Sequence, residues 1–138
     1  MAIGVAASAA LLAVGCGGNG SASSTGSTPI ISVSERDFAI TAPTTVQAGE
    51  VILRVTNKGP VGHELIVVRA PNADLPMRSD GLTVNEERLQ HSKVGGLEPH
   101  DATVTRDLEI HLTPGRYVLF CNMSGHYIGG MHHVLVVK

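Results

Sequence analysis

The sequence lacks tryptophan, has only four aromatic residues, and carries no excess of positive charge. Ten Lys and Arg stand against 12 Asp and Glu, so no net positive charge is available to neutralise a phosphate backbone. So few aromatic rings also leave little surface for stacking bases. These absences argue against nucleic acid as a partner. The 138 residues suffice for about one domain, which leaves little room for a multidomain enzyme.

The first 34 residues carry no charged side chain, and all 22 charged residues follow them. Within this uncharged segment, residues 2–14 are mainly apolar. They are too few to span a bilayer as a helix, but they have the length of the apolar region of a secretory signal. The segment leads into Cys16 and resembles the lipobox of bacterial lipoproteins, although Ala13 stands where leucine is usual and no basic residue follows Met1. We expect residues 1–16 to be a leader with a lipid anchor at Cys16, and the protein to lie in the periplasm or on the outer face of the cell membrane.

Residues 17–29 are rich in glycine and serine and predict a flexible linker between the leader and a domain over 30–138. Cys16 and Cys121 are the only two cysteines. We expect no disulfide between them, because it would tie the domain to a tail without structure.

Short apolar runs separated by turn residues fill the chain from Ile30 onward. Residues 51–56 alternate between apolar and polar side chains, and Asn57-Lys58-Gly59-Pro60 ends that run. Further strands are predicted at 64–68, 103–112, 116–120 and 134–137. Several short strands with turn signals indicate an all-β sandwich or barrel.

The alternating pattern stops between residues 70 and 99. Thr83 and Glu86 have the spacing of a capping box, and residues 87–90 can continue a helix. Gly95-Gly96 can end that helix. We therefore predict one short helix within a long excursion between strands, with the Glu86-Glu87 pair on its polar face.

A cysteine, a histidine and a methionine follow one another at equal spacing near the C-terminal end, as Cys121, His126 and Met131. A predicted strand precedes them and another follows. A thiolate, an imidazole and a thioether form a soft ligand set that suits copper, which would need one more histidine. His63 is the best candidate, because it follows a turn and begins an aliphatic strand. Structural zinc sites use four Cys or His ligands, and no general base for a catalytic zinc is apparent in this loop.

With these residues the body of the chain resembles the cupredoxins, the small blue-copper β-sandwich family. The spacing after the cysteine is most similar to the sulfocyanin, rusticyanin and auracyanin branch. The motifs that carry the resemblance are Asn57-x-Gly59-x-x-x-His63-Glu64 and Cys121-x₄-His126-x₄-Met131.

The resemblance implies a Greek-key β-sandwich over residues 30–138. It also implies a copper ion with His63, Cys121 and His126 as equatorial ligands and Met131 as the axial ligand. One residue departs from the family pattern. Many cupredoxins have an asparagine that ties the two ligand loops together, and here Glu64 takes its place.

Other sulfur and imidazole groups compete for these roles. Met123 lies inside the loop and is the alternative axial ligand, although only Met131 lies where the loop meets the next strand. Strand alternation directs His132 away from a metal bound by Met131, and we expect His133 at the surface or behind the ligands. The remaining histidines, His91, His100 and His111, are expected at the solvated surface.

The function implied by the resemblance is one-electron transfer by copper cycling between Cu(I) and Cu(II), without substrate turnover. The expected partners are redox proteins such as a cytochrome or a membrane oxidase complex, and we expect a monomer. A copper oxidase is disfavoured because the sequence has no His-x-His pair. Copper storage or delivery stays as the alternative. By resemblance, the partner docks beside His126 on an apolar rim, for which the candidates are Pro60, Val61, Tyr127 and Ile128.

Overall fold

The computed structural model describes Met1 and residues 26–138; the rest of the predicted leader and most of the predicted linker lie outside the described residues. Over the described range the chain forms nine strands, connecting turns and one four-residue 3₁₀ helix, Glu86–Leu89. The strands are β1 (Ile30–Arg36), β2 (Ala39–Thr41), β3 (Thr45–Val46), β4 (Gly49–Asn57), β5 (His63–Arg69), β6 (Lys93–His100), β7 (Thr105–Leu112), β8 (Gly115–Phe120) and β9 (His132–Val137).

The strands form two sheets, in the orders β2-β1-β4-β7 and β3-β9-β8-β5-β6. Two pairings are parallel, β1 with β4 and β3 with β9, and the others are antiparallel. The all-β sandwich predicted from the sequence is therefore confirmed. Strands β1, β2, β3 and β6 were not predicted.

The core lies between the two sheets and is built by strand alternation. Val51, Leu53 and Val55 of β4 face it from one sheet, and Leu65 and Val67 of β5 face it from the other. A second apolar cluster lies on the outer face of the five-stranded sheet, where the excursion after β5 covers it. Its buried members are Ile66, Val68, Leu75, Val84, Leu89, Val118, Phe120 and Tyr127. Residues 65–68 of β5 and 117–120 of β8 are buried on both faces of the sheet, so these runs are continuously apolar rather than alternating.

The helix predicted within the excursion is wrong in its extent and its ends. The cap is Asn85, whose side chain accepts a hydrogen bond from the backbone of Arg88, and not Thr83. Only one 3₁₀ turn follows it. Gly95-Gly96 does not end a helix but lies in β6, at the edge of its sheet, where a Cβ on Gly96 would stand 2.8 Å from the Leu65 carbonyl oxygen. Gly96 thus allows β5 and β6 to approach closely, whereas a Cβ on Gly95 would lie 3.1 Å from the Ile110 side chain of the other sheet. The prediction that this pair ends a helix is wrong.

Within the part of the chain that the structure describes, no helix is long and apolar enough to cross a membrane.

Candidate metal centre

His63 and Cys121 reach the same end of the sandwich because they lie on neighbouring strands. β5 and β8 pair with Ile66 opposite Phe120 and Val67 opposite Leu119. Alternation places His63 on the same face as Leu65, and Cys121 on the same face as Leu119, which is the face turned to the core between the sheets. Both residues are fully buried.

The loop from Cys121 to Met131 connects β8 to β9 and is closed at its base. The Cys121 amide donates to the Met131 carbonyl at 3.2 Å, and the Met131 amide donates to the His126 carbonyl at 3.0 Å. Gly125 and Gly130 have φ angles of 80° and 106°, which side-chain-bearing residues rarely adopt. The glycine-rich sequence therefore permits a compact loop that turns His126 back toward Cys121.

Asn57 organises the loop before His63. Its side-chain amide donates to the carbonyls of Val61 and His100, at 2.8 and 3.2 Å. Its side-chain oxygen accepts from the Gly59 amide at 2.8 Å. Asn57 is fully buried, so one side chain satisfies three backbone groups in the interior and sets where β5 begins.

The structure brings together three of the four predicted ligands. One ligand atom each from His63, Cys121 and His126 lies within 4.8 Å of the others. The Cys121 sulfur and His126 Nδ1 are 3.5 Å apart. Two ligands of one trigonal ion, at about 2.3 and 2.0 Å from it, stand about 3.7 Å apart. The three side chains can therefore hold one metal ion.

The protonation states of the ligands differ. Burial, followed by the neighbouring His126 ring, lowers the pKa of His63, which favours the neutral imidazole that metals bind. Burial raises the pKa of the Cys121 thiol to about 11, although backbone N–H groups of Glu64 and Met123 act in the opposite direction. Without a metal the cysteine is a thiol near neutral pH, and a bound metal must displace its proton.

Glu64 supplies a tie between the two ligand loops. Its Oε1 accepts from the Asn122 amide at 3.1 Å, directly after Cys121. Asn122 in turn donates from its side chain to the Val84 carbonyl and to Glu86, at 3.1 and 2.9 Å. A carboxylate thus connects the two loops where many cupredoxins use asparagine, and burial followed by the nearby Glu86 raises the pKa of Glu64.

The axial ligand stays a prediction. Met131 is fully buried and belongs to the core between the sheets, and Met123 packs against the same core while partly buried. Burial at the base of the loop is consistent with the role predicted for Met131.

The expectation of a solvated surface is wrong for His100. It is buried opposite His63 in the β5–β6 ladder, with its Nε2 3.3 Å from the Glu35 carboxylate. Within residues 26–138 no other histidine joins the three-ligand cluster. His91 and His111 are exposed, as expected. His132 stacks near Tyr127, and His133 Nε2 lies 3.1 Å from the Pro43 carbonyl.

The apolar rim differs from the prediction at two residues. Tyr127 is buried, donates to the Ala73 carbonyl and packs on Phe120, so it belongs to the second apolar cluster, on the outer face of the five-stranded sheet. Phe38 was missed. Its ring packs edge-on against His126, with 5.6 Å between centroids, and 54% of the residue is exposed. We define the apolar rim as Phe38, Pro60, Val61 and Ile128, all of which are exposed.

No family model matches the chain, and no curated protein matches it. Solved structures do. Reduced auracyanin from Roseiflexus castenholzii superposes with a TM-score of 0.63 at 16% identity, covering 82% of this chain and 99% of that one. Auracyanin A from Chloroflexus aurantiacus, described as a "blue" copper protein, gives 0.59 at 20% identity, over 81% and 100%. Rusticyanin from Thiobacillus ferrooxidans gives 0.58 at 17% identity, over 81% and 79%. At these identities the likeness concerns the fold.

Proposed function

Starting from the cupredoxin fold and its cluster of His63, Cys121 and His126, we propose that the protein is an electron carrier with one copper ion. The three side chains would hold the ion, with Met131 as the proposed fourth ligand. When bound, copper would supply a one-electron Cu(I)/Cu(II) couple. The proposal includes no catalytic role.

The observation that carries the proposal is the cluster itself, on the fold shared with the auracyanins and rusticyanin. A lone buried cysteine is usually a small apolar core residue. Here its sulfur lies 3.5 Å from an imidazole nitrogen, and a second imidazole completes the group. A thiolate with two imidazoles is the donor set of blue-copper sites.

The surrounding residues hold the donors in place. Cys121 and Met131 are joined by a backbone hydrogen bond, and Glu64 links the loop after Cys121 to the strand that begins with His63. Donors held on rigid strands keep one geometry, so little rearrangement would accompany a change in oxidation state. This is the property that an electron carrier requires.

We propose that electrons pass through His126, because it is partly exposed whereas His63 and Cys121 are fully buried. The apolar rim would dock a redox partner such as a cytochrome or a membrane oxidase complex, and Phe38 supports this because its half-exposed ring touches His126. Single exposed apolar residues are common, but several on the loops beside one site favour a contact surface.

Export and anchoring are a separate part of the proposal. The leader and Cys16 would place a monomer outside the cytoplasm, in the periplasm or on the outer face of the membrane. Mass spectrometry of the membrane fraction would detect an N-terminal Cys16 carrying lipid. A protein that is found in the soluble fraction with an intact leader would contradict anchoring.

The first test is a visible absorption spectrum of the full chain with Cu(II), in a Cys16→Ser background that leaves one thiol. We expect an intense thiolate-to-copper band that disappears in Cys121→Ser and persists in the control His91→Ala. A pale spectrum typical of nitrogen and oxygen ligands would contradict the Cys121 assignment. Reversible electron exchange with a cytochrome would support the carrier role, whereas metal transfer to a chelator without redox cycling would favour delivery.

A further inference from the structure

The turn between β1 and β2 places an acidic side chain against a histidine of the cluster. Arg36 pairs with Ala39, which leaves a two-residue turn of Asp37 and Phe38. Asp37 Oδ1 lies 3.1 Å from His63 Nε2. This contact joins residues 26 positions apart, and no sequence motif indicated it.

The contact determines which nitrogen of His63 is available to a metal. A carboxylate can only accept a hydrogen bond, so Nε2 must carry the proton and donate it. The other nitrogen, Nδ1, is buried and has no hydrogen-bond partner. The neutral ring therefore presents the lone pair of Nδ1, the form that a metal ligand requires.

Gly59 makes room for this contact. A Cβ at that position would lie 2.8 Å from Asp37 Oδ1 and 2.9 Å from His63 Nε2, so no larger residue fits without displacing one of the two. The turn itself is constrained. Phe38 has a φ of 61°, rare for a bulky residue, and its ring lies so close to Gly129 that a Cβ there would overlap it. Both features hold Asp37 in place beside the ring.

We propose that Asp37 is a positioning residue for His63: its carboxylate accepts the Nε2 proton and fixes the ring as the tautomer that offers Nδ1 to a metal. Carboxylates behind metal-binding histidines orient the ring and raise its basicity. The inference deepens the metal site proposed above. The tautomer itself, however, is a property of the metal-free protein.

The first test is long-range ¹H–¹⁵N NMR of the metal-free full chain, in the Cys16→Ser background at pH 8. We expect His63 to be protonated at Nε2 in this background protein. Asp37→Ala should give a mixture of tautomers, and Asp37→Asn should restore the Nε2–H form because its amide oxygen still accepts. The control Asp107→Asn, whose carboxylate pairs with Arg54, should match the background protein. Protonation of His63 at Nδ1 in the background protein, or an unchanged spectrum in Asp37→Ala, would overturn the proposal.

The second test uses Zn(II) as the probe, with affinity measured by chelator competition. Removing a hydrogen-bond partner of a metal-binding histidine typically weakens metal binding about 10–100-fold. We expect a loss of that size for Asp37→Ala, a smaller one for Asp37→Asn and none for Asp107→Asn. Equal affinity of Asp37→Ala and the background protein would overturn the proposal. If the copper band is missing but His63 has the expected tautomer, the proposed copper carrier is contradicted and the role of Asp37 is not. If the band is strong but His63 has the opposite tautomer, the role of Asp37 is contradicted and the copper carrier is not.

Discussion

Glu35 should make the metal-free protein less stable as the pH rises. Its carboxyl is fully buried and forms no hydrogen bond, although His100 Nε2 lies 3.3 Å from it. Burial, followed by the nearby Glu64, raises the pKa of Glu35 from 4.5 to about 8. Between pH 4.5 and about 8, the native state therefore keeps a proton on Glu35 that the unfolded chain has already released.

The sign and size of the effect follow from this difference. The stabilising contribution is complete below the unfolded pKa and is lost as the pH rises through about 8. Each unit of pKa difference corresponds to about 1.4 kcal/mol, so the full loss in the free energy of unfolding is about 5 kcal/mol. Glutamine is neutral at every pH, and Glu35→Gln should remove this dependence.

The measurement is urea unfolding of metal-free protein between pH 5 and 8, followed by circular dichroism. The quantity of interest is the difference between the parent protein and Glu35→Gln, because the contributions of other titrating groups cancel in it. We expect Glu35→Gln to gain stability over the parent protein as the pH rises, and the exposed control Glu50→Gln to follow the parent protein. Parallel profiles for Glu35→Gln and the parent protein would refute the reasoning.

Four further outcomes are expected. Leu53→Ala, at a fully buried core position, should lower the free energy of unfolding by about 3 kcal/mol in urea titrations, and a loss below about 1 would contradict the packing. Arg54→Ala removes an exposed ion pair and should cost less than about 1 kcal/mol in the same assay. Gly96→Ala should destabilise by about 1–3 kcal/mol, since its Cβ would meet the Leu65 carbonyl oxygen; unchanged stability would argue against that approach. Because the pKa of Cys121 is raised to about 11, Zn(II) binding at pH 7 should release a proton, detectable with an indicator dye, and Cys121→Ser should abolish the release.

The pattern of apolar and polar residues predicted those strands in which one face, or both faces, are buried along most of the strand. Residues 51–56 alternate because one face of β4 is buried, and 65–68 are continuously apolar because this part of β5 is buried on both faces. β6 escaped prediction because two glycines and Pro99 carry the signals of a turn. At the edge of a sheet those residues are tolerated, and Gly96 leaves room for the backbone of the neighbouring strand β5.

Cys121, His126 and Met131 could be proposed as ligands because their spacing within one loop is local, and His63 because it follows a turn and begins an aliphatic strand. Asp37 and Phe38 could not be found, because their roles depend on a hairpin meeting loops far away in the sequence. His100 lies in a polar stretch, Glu98-Pro99-His100-Asp101, that indicates surface. Pairing with β5 buries it opposite His63, and only the tertiary fold contains that information.

The parallel pairing of β3 with β9 has a consequence for the order of folding. Thr45 lies opposite Val136, and the Ala48 amide donates to the Lys138 carbonyl at 2.8 Å. The five-stranded sheet is therefore complete only when β3, near the N-terminal end of the fold, pairs with the last strand, β9. Contacts between residues so distant in sequence make folding slow. During synthesis, the loop from Cys121 to Met131 emerges only shortly before β9. Folding of this chain is therefore expected to be a late, largely post-translational event.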